Sequence, residues 1–282
     1  MSPSAPFDIN THAQKYAPEY GEHHFSDHLP MTATALKRLG APAERIDAFA
    51  KVYRRKLKRR RPAKSTIDPL LLSARLGDPT VYPAALNYFT TRISTEGRAH
   101  VLAEHLPELT GSLAAAAFHG VIRVAYGLIA NSDAEIAAGM AYWYAQAHPI
   151  KFGRHIGASN NDVTTLLQDV AATMKKQRRK LSLDQDTISA RMDEIFANPA
   201  LNAVLARTAA ADVAFEEIAS VALRLFLATE DFTALHCVTG VHATRVLSEH
   251  VVMDDAALRK SLWSSLCAAY ASIGAPELAS LT

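Results

Sequence analysis

Histidine and arginine occur inside otherwise apolar stretches at two places in this 282-residue chain. Residues 117–123 read Ala-Phe-His-Gly-Val-Ile-Arg, and residues 235–245 read Leu-His-Cys-Val-Thr-Gly-Val-His-Ala-Thr-Arg. Burying an imidazole or a guanidinium without a partner is costly, so such groups are usually paired, bound to a metal or exposed to a polar cavity. The two segments therefore favour an enzyme over a helical domain without a site.

The first segment places His119, Arg123 and Tyr126 at positions i, i+4 and i+7, which share one face of a helix. This face could bind an anionic or phenolic oxygen. Alternatively, His119 could ligate a metal while Arg123 orients a substrate. A core histidine satisfied by its neighbours fits the same spacing, so the spacing alone leaves these alternatives open.

The second segment carries His236 and His242, which are six residues apart and so roughly 120° apart around a helix. They can face one site only if the helix is distorted near Gly240 or follows the edge of a cavity. Thr239 and Arg245 share a face with His242. The segment lacks the His-Glu-x-x-His spacing of zinc proteases.

A further histidine, His28, stands just before an expected helix start, where a capping role is as ordinary as a ligand role. The chain has no Gly-x-Gly-x-x-Gly after a strand, no P-loop and no Gly-x-Ser-x-Gly. Any chemistry must therefore use histidine, arginine and tyrosine, with or without a bound metal. Imidazole is a good ligand for both iron and zinc.

Composition limits the class of protein. The two cysteines form no Cys-x-x-Cys pair, which favours a reducing, cytoplasmic location. The apolar runs are too short to span a membrane, and residues 1–6 do not begin a signal peptide, so we expect no membrane association. The net charge of +2 says nothing about partners.

Basic residues cluster in residues 51–64, which hold nine lysines and arginines and no acidic residue, and again in residues 175–180. Such runs can bind nucleic acid or an acidic protein. They also suit the solvated C-terminal turn of a helix, where cations interact favourably with the helix dipole. Since only Tyr53 interrupts the first run with an aromatic ring, we favour the second interpretation and do not expect nucleic acid as a partner.

Apolar periodicity and turn residues predict an all-α fold, a single compact multi-helix domain over residues 31–282 with an extended N-terminal arm over residues 1–30. No segment shows sustained β alternation. A domain boundary near residues 150–160 has little support in the sequence. The expected helices are 32–39, 43–60, 84–92, 97–106, 108–130, 134–147, 161–180, 184–196, 200–229, 232–250 and 254–273.

Six motifs occur in a particular order along most of the chain. They are 27–31 (Asp-His-Leu-Pro-Met), 35–40 (Ala-Leu-Lys-Arg-Leu-Gly), 102–109 (Leu-Ala-Glu-His-Leu-Pro-Glu-Leu), 117–126, 141–143 (Ala-Tyr-Trp) and 231–239 (Asp-Phe-Thr-Ala-Leu-His-Cys-Val-Thr). In this order and spacing, the chain resembles the questin oxidase-like family. The resemblance implies a helical oxidoreductase that uses O2 for a Baeyer–Villiger-like or ring-cleaving oxygenation of an aromatic or polyketide-like small molecule.

The resemblance also implies a non-haem iron held by several histidines and assisted by a modified lysine. The matching positions here are His28, His119 and His236, with His242 as the natural fourth ligand. No lysine is expected at a buried position of a matching motif, so Glu217, Asp231 or solvent would complete the ligand set. NADPH is an implied reductant, although the chain has no Rossmann motif.

The leading hypothesis is a metal-dependent oxygenase in which Arg123 and Arg245 stabilise a developing oxyanion, while Tyr126 and Trp143 line the pocket. The chain is shorter than the fungal members, so its substrate need not be a polycyclic anthraquinone. One alternative is a metal-free oxygenase or isomerase with His119 as general base. Another is a non-catalytic helical binding protein that uses the basic residues 51–64. The sequence does not define the oligomeric state.

Overall fold

The computed structural model describes residues 6–63, 67–150, 162–209 and 211–279. Within these ranges the chain forms fourteen α-helices and one two-stranded ribbon, which confirms the all-α prediction. The chain divides into two compact units, Met1–His105 with His119–Ala147 and Leu106–Phe118 with His148–Thr282. The predicted limits of arm and domain, 1–30 and 31–282, stay predictions, and most of the weakly indicated boundary near 150–160 lies outside the described residues.

The first unit is built mainly of helices, with one short antiparallel ribbon. Its elements are α1 (Ile9–Lys15), β1 (Glu19–Tyr20), β2 (Phe25–Ser26), α2 (Leu29–Arg38), α3 (Ala43–Tyr53), a 3-10 helix (Arg54–Lys56), α4 (Pro69–Ala74), a 3-10 helix (Pro79–Val81), α5 (Tyr82–Glu96), α6 (Arg98–Leu109, of which the last four residues belong to the second unit), α7 (His119–Ile129) and α8 (Asp133–Gln146).

Helices α7 and α8 approach each other closely because glycines face the contact. A Cβ atom on Gly139 would lie 2.7 Å from the backbone nitrogen of Val124, and one on Gly127 would lie 2.8 Å from that of Ile136. Side chains other than hydrogen do not fit at such separations. The closeness of this pair follows from the small residues that the sequence places on it.

Residues 6–26 are more ordered than the predicted extended arm. The carboxylate of Asp8 caps α1 by accepting the backbone N–H groups of Asn10 and Thr11. This capping satisfies donors that a helix start otherwise leaves without partners. A polar segment with two prolines therefore contains a helix and both strands of the ribbon where the sequence suggested an extended chain.

Part of the basic run holds this N-terminal segment in place. The backbone carbonyl of Lys58 accepts from Ala17 at 2.9 Å, and the Lys58 ammonium donates to the carbonyl of Gly21 at 3.1 Å. The ammonium of Lys56 lies 4.8 Å from the ring centre of Tyr20, a cation–π contact. These two lysines therefore make contacts inside the chain. The expectation that nucleic acid is not a partner stays a prediction, and Lys64, the last residue of the run, lies outside the described residues.

The second unit is all-helical in its described residues. Its elements are a 3-10 helix (Thr110–Ser112), α9 (Val163–Gln177), a 3-10 helix (Arg178–Lys180), α10 (Ile188–Ala197), α11 (Pro199–Ala209), α12 (Phe215–Thr229), α13 (Phe232–His250) and α14 (Asp255–Ser272). Helix α14 is central, because α9 to α13 all pack against it and twelve of its residues are buried. The helix predicted over 200–229 is in fact two, α11 and α12.

The helix predicted over 108–130 is wrong in its first half. Helix α6 continues through Pro107, and α7 begins only at His119. Just before it, Ala116, Ala117 and Phe118 adopt left-handed φ angles of 49°, 54° and 66°. The Phe118 ring fills the space beside Gly240, where a Cβ atom would lie 2.7 Å from it. Packing of this ring outweighs the helix propensity of the alanines.

In the described residues, no helix combines the length and apolar character needed to cross a membrane.

Candidate functional site

Two of the four predicted metal ligands meet in the first unit. His28 is the N-cap residue of α2, and His119 is the first residue of α7. Their Nε2 atoms are 2.8 Å apart, and their rings are perpendicular, with an interplanar angle of 89°. Since His119 is buried and His28 is partly buried, the two nitrogens meet away from bulk solvent.

The other ring nitrogen of His28 determines what its Nε2 atom can do. His28 Nδ1 lies 2.7 Å from the carbonyl oxygen of Ser26, which can only accept, so Nδ1 carries the proton. Burial lowers the pKa of the His28 imidazole, and a neutral ring protonated at Nδ1 has its lone pair on Nε2. The ring is thus prepared to accept a proton or to bind a metal through Nε2.

Three contacts fix the backbone around His28. The carboxylate of Asp27 accepts from the backbone of Leu29 at 2.9 Å, and its other oxygen lies 2.6 Å from Nε2 of His12. The backbone N–H of His28 donates to the hydroxyl of Tyr53 at 3.0 Å. The side chains of Asp27 and His12 are each only 1% exposed, so this pair is part of the core. Sequence reasoning missed His12 because it stands in a polar segment.

The distance between the two Nε2 atoms suits either of two arrangements. It is a normal length for an N–H···N hydrogen bond. Two imidazole nitrogens bound to one metal at about 2.1 Å and at right angles would be about 3.0 Å apart. The separation of 2.8 Å is close to both values, so the donor set and its geometry fit a metal ion.

Arg123, the predicted oxyanion stabiliser on α7, is neutralised by a partner that the sequence analysis missed. Its Nε and Nη2 atoms donate to the two carboxylate oxygens of Glu135 on α8, at 2.8 and 3.0 Å. The two side chains are 2% and 0% exposed. Burial raises the pKa of Glu135, and the nearby guanidinium opposes that shift. The third guanidinium nitrogen, Nη1, is buried without a hydrogen-bond partner in the described part of the chain.

The two aromatic residues predicted to line the pocket lie on the same pair of helices. Tyr126, on α7, is partly buried, and Trp143, on α8, is 1% exposed. A Cβ atom on Gly120 would lie 2.6 Å from the Trp143 ring, so that ring lies directly on α7. A role of either side chain in binding a substrate stays a prediction.

The third predicted ligand, His236, lies on α13 in the second unit and repeats the arrangement seen at His28. Its Nδ1 atom is 2.7 Å from the carbonyl oxygen of Phe232, and the Phe232 ring packs against it at 4.5 Å. The side chain is buried, with 4% of the residue exposed. Nδ1 must again be the donor, so in the neutral ring the lone pair is on Nε2.

The remaining predicted residues of α13 lie on a different face from His236. His242 is exposed, as expected from a separation of six residues in a regular helix. Arg245 is 60% exposed and pairs with Glu249 at 3.1 Å. The ligand role of His242 and the oxyanion role of Arg245 stay predictions.

The two carboxylates considered as additional ligands both serve as helix caps. Asp231 is the N-cap residue of α13 and accepts the backbone N–H of Thr233 at 2.6 Å. Glu217, in the first turn of α12, lies 3.4 Å from the backbone nitrogen of Ala214. Both contacts follow from the preference of acidic groups for helix starts.

The described residues form a helical fold with imidazoles at the starts of two helices, α2 and α7. A family model described as Questin oxidase-like matches residues 25–281. The match covers nearly the whole chain and includes every predicted ligand, so the chain belongs to the Questin oxidase-like family. No curated protein matches the chain. Membership indicates an oxidoreductase that acts with O2 on a small molecule.

Proposed function

We propose that this protein is an oxygenase that acts on an aromatic or polyketide-like small molecule at a non-haem iron site, with His28, His119 and His236 as ligands. The observation that carries the proposal is the 2.8 Å approach of the Nε2 atoms of a buried and a partly buried histidine, 91 positions apart in the chain. Such a convergence of imidazoles is unusual unless it serves binding or proton transfer.

The hydrogen bonds of the proposed ligands support it. Metal-binding histidines characteristically donate their second ring N–H to a carbonyl or carboxylate, which fixes the tautomer and orients the ring. His28 and His236 both do so, through Ser26 and Phe232. A bound iron would supply the activation of O2, and the Baeyer–Villiger-like or ring-cleaving outcome belongs to the same proposal.

The neighbouring residues then have defined tasks. Asp27 and His12 hold the backbone that presents His28. Glu135 keeps Arg123 charged in the core, and the unpartnered Nη1 of Arg123 is the atom that would bind a substrate oxyanion. His242 is proposed as a fourth ligand on the resemblance alone. NADPH as reductant and a cytoplasmic location also remain part of the proposal.

The test is iron analysis of the purified protein beside three variants, His28→Ala, His119→Ala and His236→Ala. His250→Ala is a matched control, because His250 also lies on α13 and also bonds through Nδ1 to a carbonyl one turn earlier, at 2.8 Å. We expect about one iron per chain in the parent and in the control, and a loss of iron in the three variants. A parent without iron, or iron retained in all three variants, would refute the ligand assignment.

A second candidate function is a metal-free oxygenase or isomerase with His119 as general base. It is favoured by the same 2.8 Å contact, because His28 could accept or return the proton that His119 takes from a substrate. The two candidates differ in one measurement, O2 consumption with an anthraquinone such as questin before and after chelation. Consumption that persists without metal would favour the second candidate.

A further inference from the structure

The first unit contains a cavity of about 790 Å³ away from the histidine pair. It is bounded by the residues before and at the start of α1, the second half of α2, the start of α3 and the end of α7. Its volume is typical of pockets that bind small organic molecules, which span about 300–1,000 Å³. None of the roles described above uses it.

The cavity and the histidine pair lie at opposite ends of the same two helices. Lys37, at the cavity, is nine residues after His28, and Ile129, also at the cavity, is ten residues after His119. At a rise of 1.5 Å per residue these intervals correspond to about 14 and 15 Å. Neither histidine lines the cavity, whose wall comes nearest to His28 along α2 at Ala33, five residues or about 7.5 Å away.

Apolar side chains form much of the wall, and two cations lie at the rim. Phe7, Ala33 and Ile46 are among the apolar residues that line it. Lys37 and Arg38, in the last turn of α2, are exposed and have no ion-pair partner among the described residues. An apolar wall beside free cations suits a molecule with an apolar body and an anionic end.

Two carboxylates also line the cavity, but both are occupied by backbone donors. Asp8 accepts from the first turn of α1, and Asp47 accepts from the backbone N–H of Phe7 at 2.5 Å. Their charges are therefore partly offset by hydrogen bonds inside the protein. Lys37 and Arg38 at the rim have no ion-pair partner among the described residues, so they are available to an anionic group.

We propose that this cavity is a second ligand site, one that binds an amphipathic organic anion such as a medium-chain carboxylate. The carboxylate lies between Lys37 and Arg38 at the rim, and the hydrocarbon chain lies against the apolar wall. The site is separate from the proposed oxygenase centre.

The test is calorimetric titration of the full chain with octanoate and with octan-1-ol, its neutral counterpart. In the double variant Lys37→Glu/Arg38→Glu, we expect octanoate affinity to fall about ten-fold or more, while octan-1-ol binding is retained. The matched control is Lys175→Glu/Lys176→Glu, which reverses two exposed cations in the last turn of α9 and should leave octanoate affinity unchanged.

A third variant tests the location. Ala43 lines the cavity but is exposed at the first position of α3, so Ala43→Trp should obstruct binding of both ligands without disturbing the core. His119→Ala should bind octanoate like the parent, which separates this site from the oxygenase centre. The proposal is overturned if the parent shows no saturable binding at one site per chain. It is also overturned if both charge reversals weaken octanoate equally, or if Ala43→Trp binds normally.

Discussion

Replacing Glu135 by glutamine should destabilise the protein strongly, because it leaves the charge of Arg123 buried and uncompensated. The side chains of Arg123 and Glu135 are 2% and 0% exposed, and two hydrogen bonds of 2.8 and 3.0 Å join them. Removing one partner of a buried ion pair costs about 3–5 kcal/mol. With an unfolding entropy of about 2.1 cal/mol/K per residue, a chain of this length should lose roughly 5–8 °C in Tm.

The assay is thermal unfolding followed by far-ultraviolet circular dichroism, with two comparison variants. Asp133→Asn removes an acid from the same turn of α8, but its ion pair with Arg98 is largely exposed, so its Tm should hardly change. The double variant Arg123→Met/Glu135→Leu removes both charges and should be more stable than Glu135→Gln. A loss below about 2 °C for Glu135→Gln, or a double variant less stable than it, would refute the reasoning.

Three further results are expected. Gly139→Ala should lower stability by about 1–3 kcal/mol in urea unfolding, because the added methyl meets the α7 backbone at 2.7 Å, whereas Gly111→Ala, with open space around it, should not. Burial raises the pKa of the Cys237 thiol to about 12, so mass spectrometry should detect alkylation by iodoacetamide at pH 8 only after unfolding; rapid alkylation of the folded chain would contradict this. Hydrogen bonds, chiefly from Thr80, lower the pKa of Asp78 from 3.8 to about 2, so its contribution to stability is complete above pH 4 and is lost as the pH falls towards 2. Asp78→Asn should make the free energy of unfolding depend less on pH over this acidic range. An unchanged pH dependence there would show that the contribution of Asp78 is negligible.

Local patterns predicted most of the helices. The α8 start is an example, because Ser132 is a strong N-cap residue and its hydroxyl does accept the N–H of Glu135, at 3.1 Å. The separation of His236 from His242 around α13 also followed from helix geometry alone. Such features depend on neighbours within a turn or two, which the sequence displays directly.

Features that depend on distant partners could not be predicted in this way. Glu135 falls in the first turn of the predicted helix 134–147, but its partner Arg123 lies on the preceding helix. His12 gave no indication of burial, because its partner Asp27 is fifteen residues away and its own segment is polar. The left-handed turn before α7 was missed because alanine favours helix, and only packing in the folded chain reverses that preference.

The left-handed turn over residues 116–118 costs conformational free energy directly before the proposed ligand His119. A left-handed conformation costs roughly 1–2 kcal/mol for each residue other than glycine, and Ala116, Ala117 and Phe118 adopt it in succession. Their combined cost is a sizeable part of the 5–15 kcal/mol that typically separates folded from unfolded protein. Packing of the Phe118 ring beside Gly240 works against this cost, and α7 begins directly after the turn, at His119. The strained connection therefore determines where the proposed ligand His119 stands, at the first position of its helix.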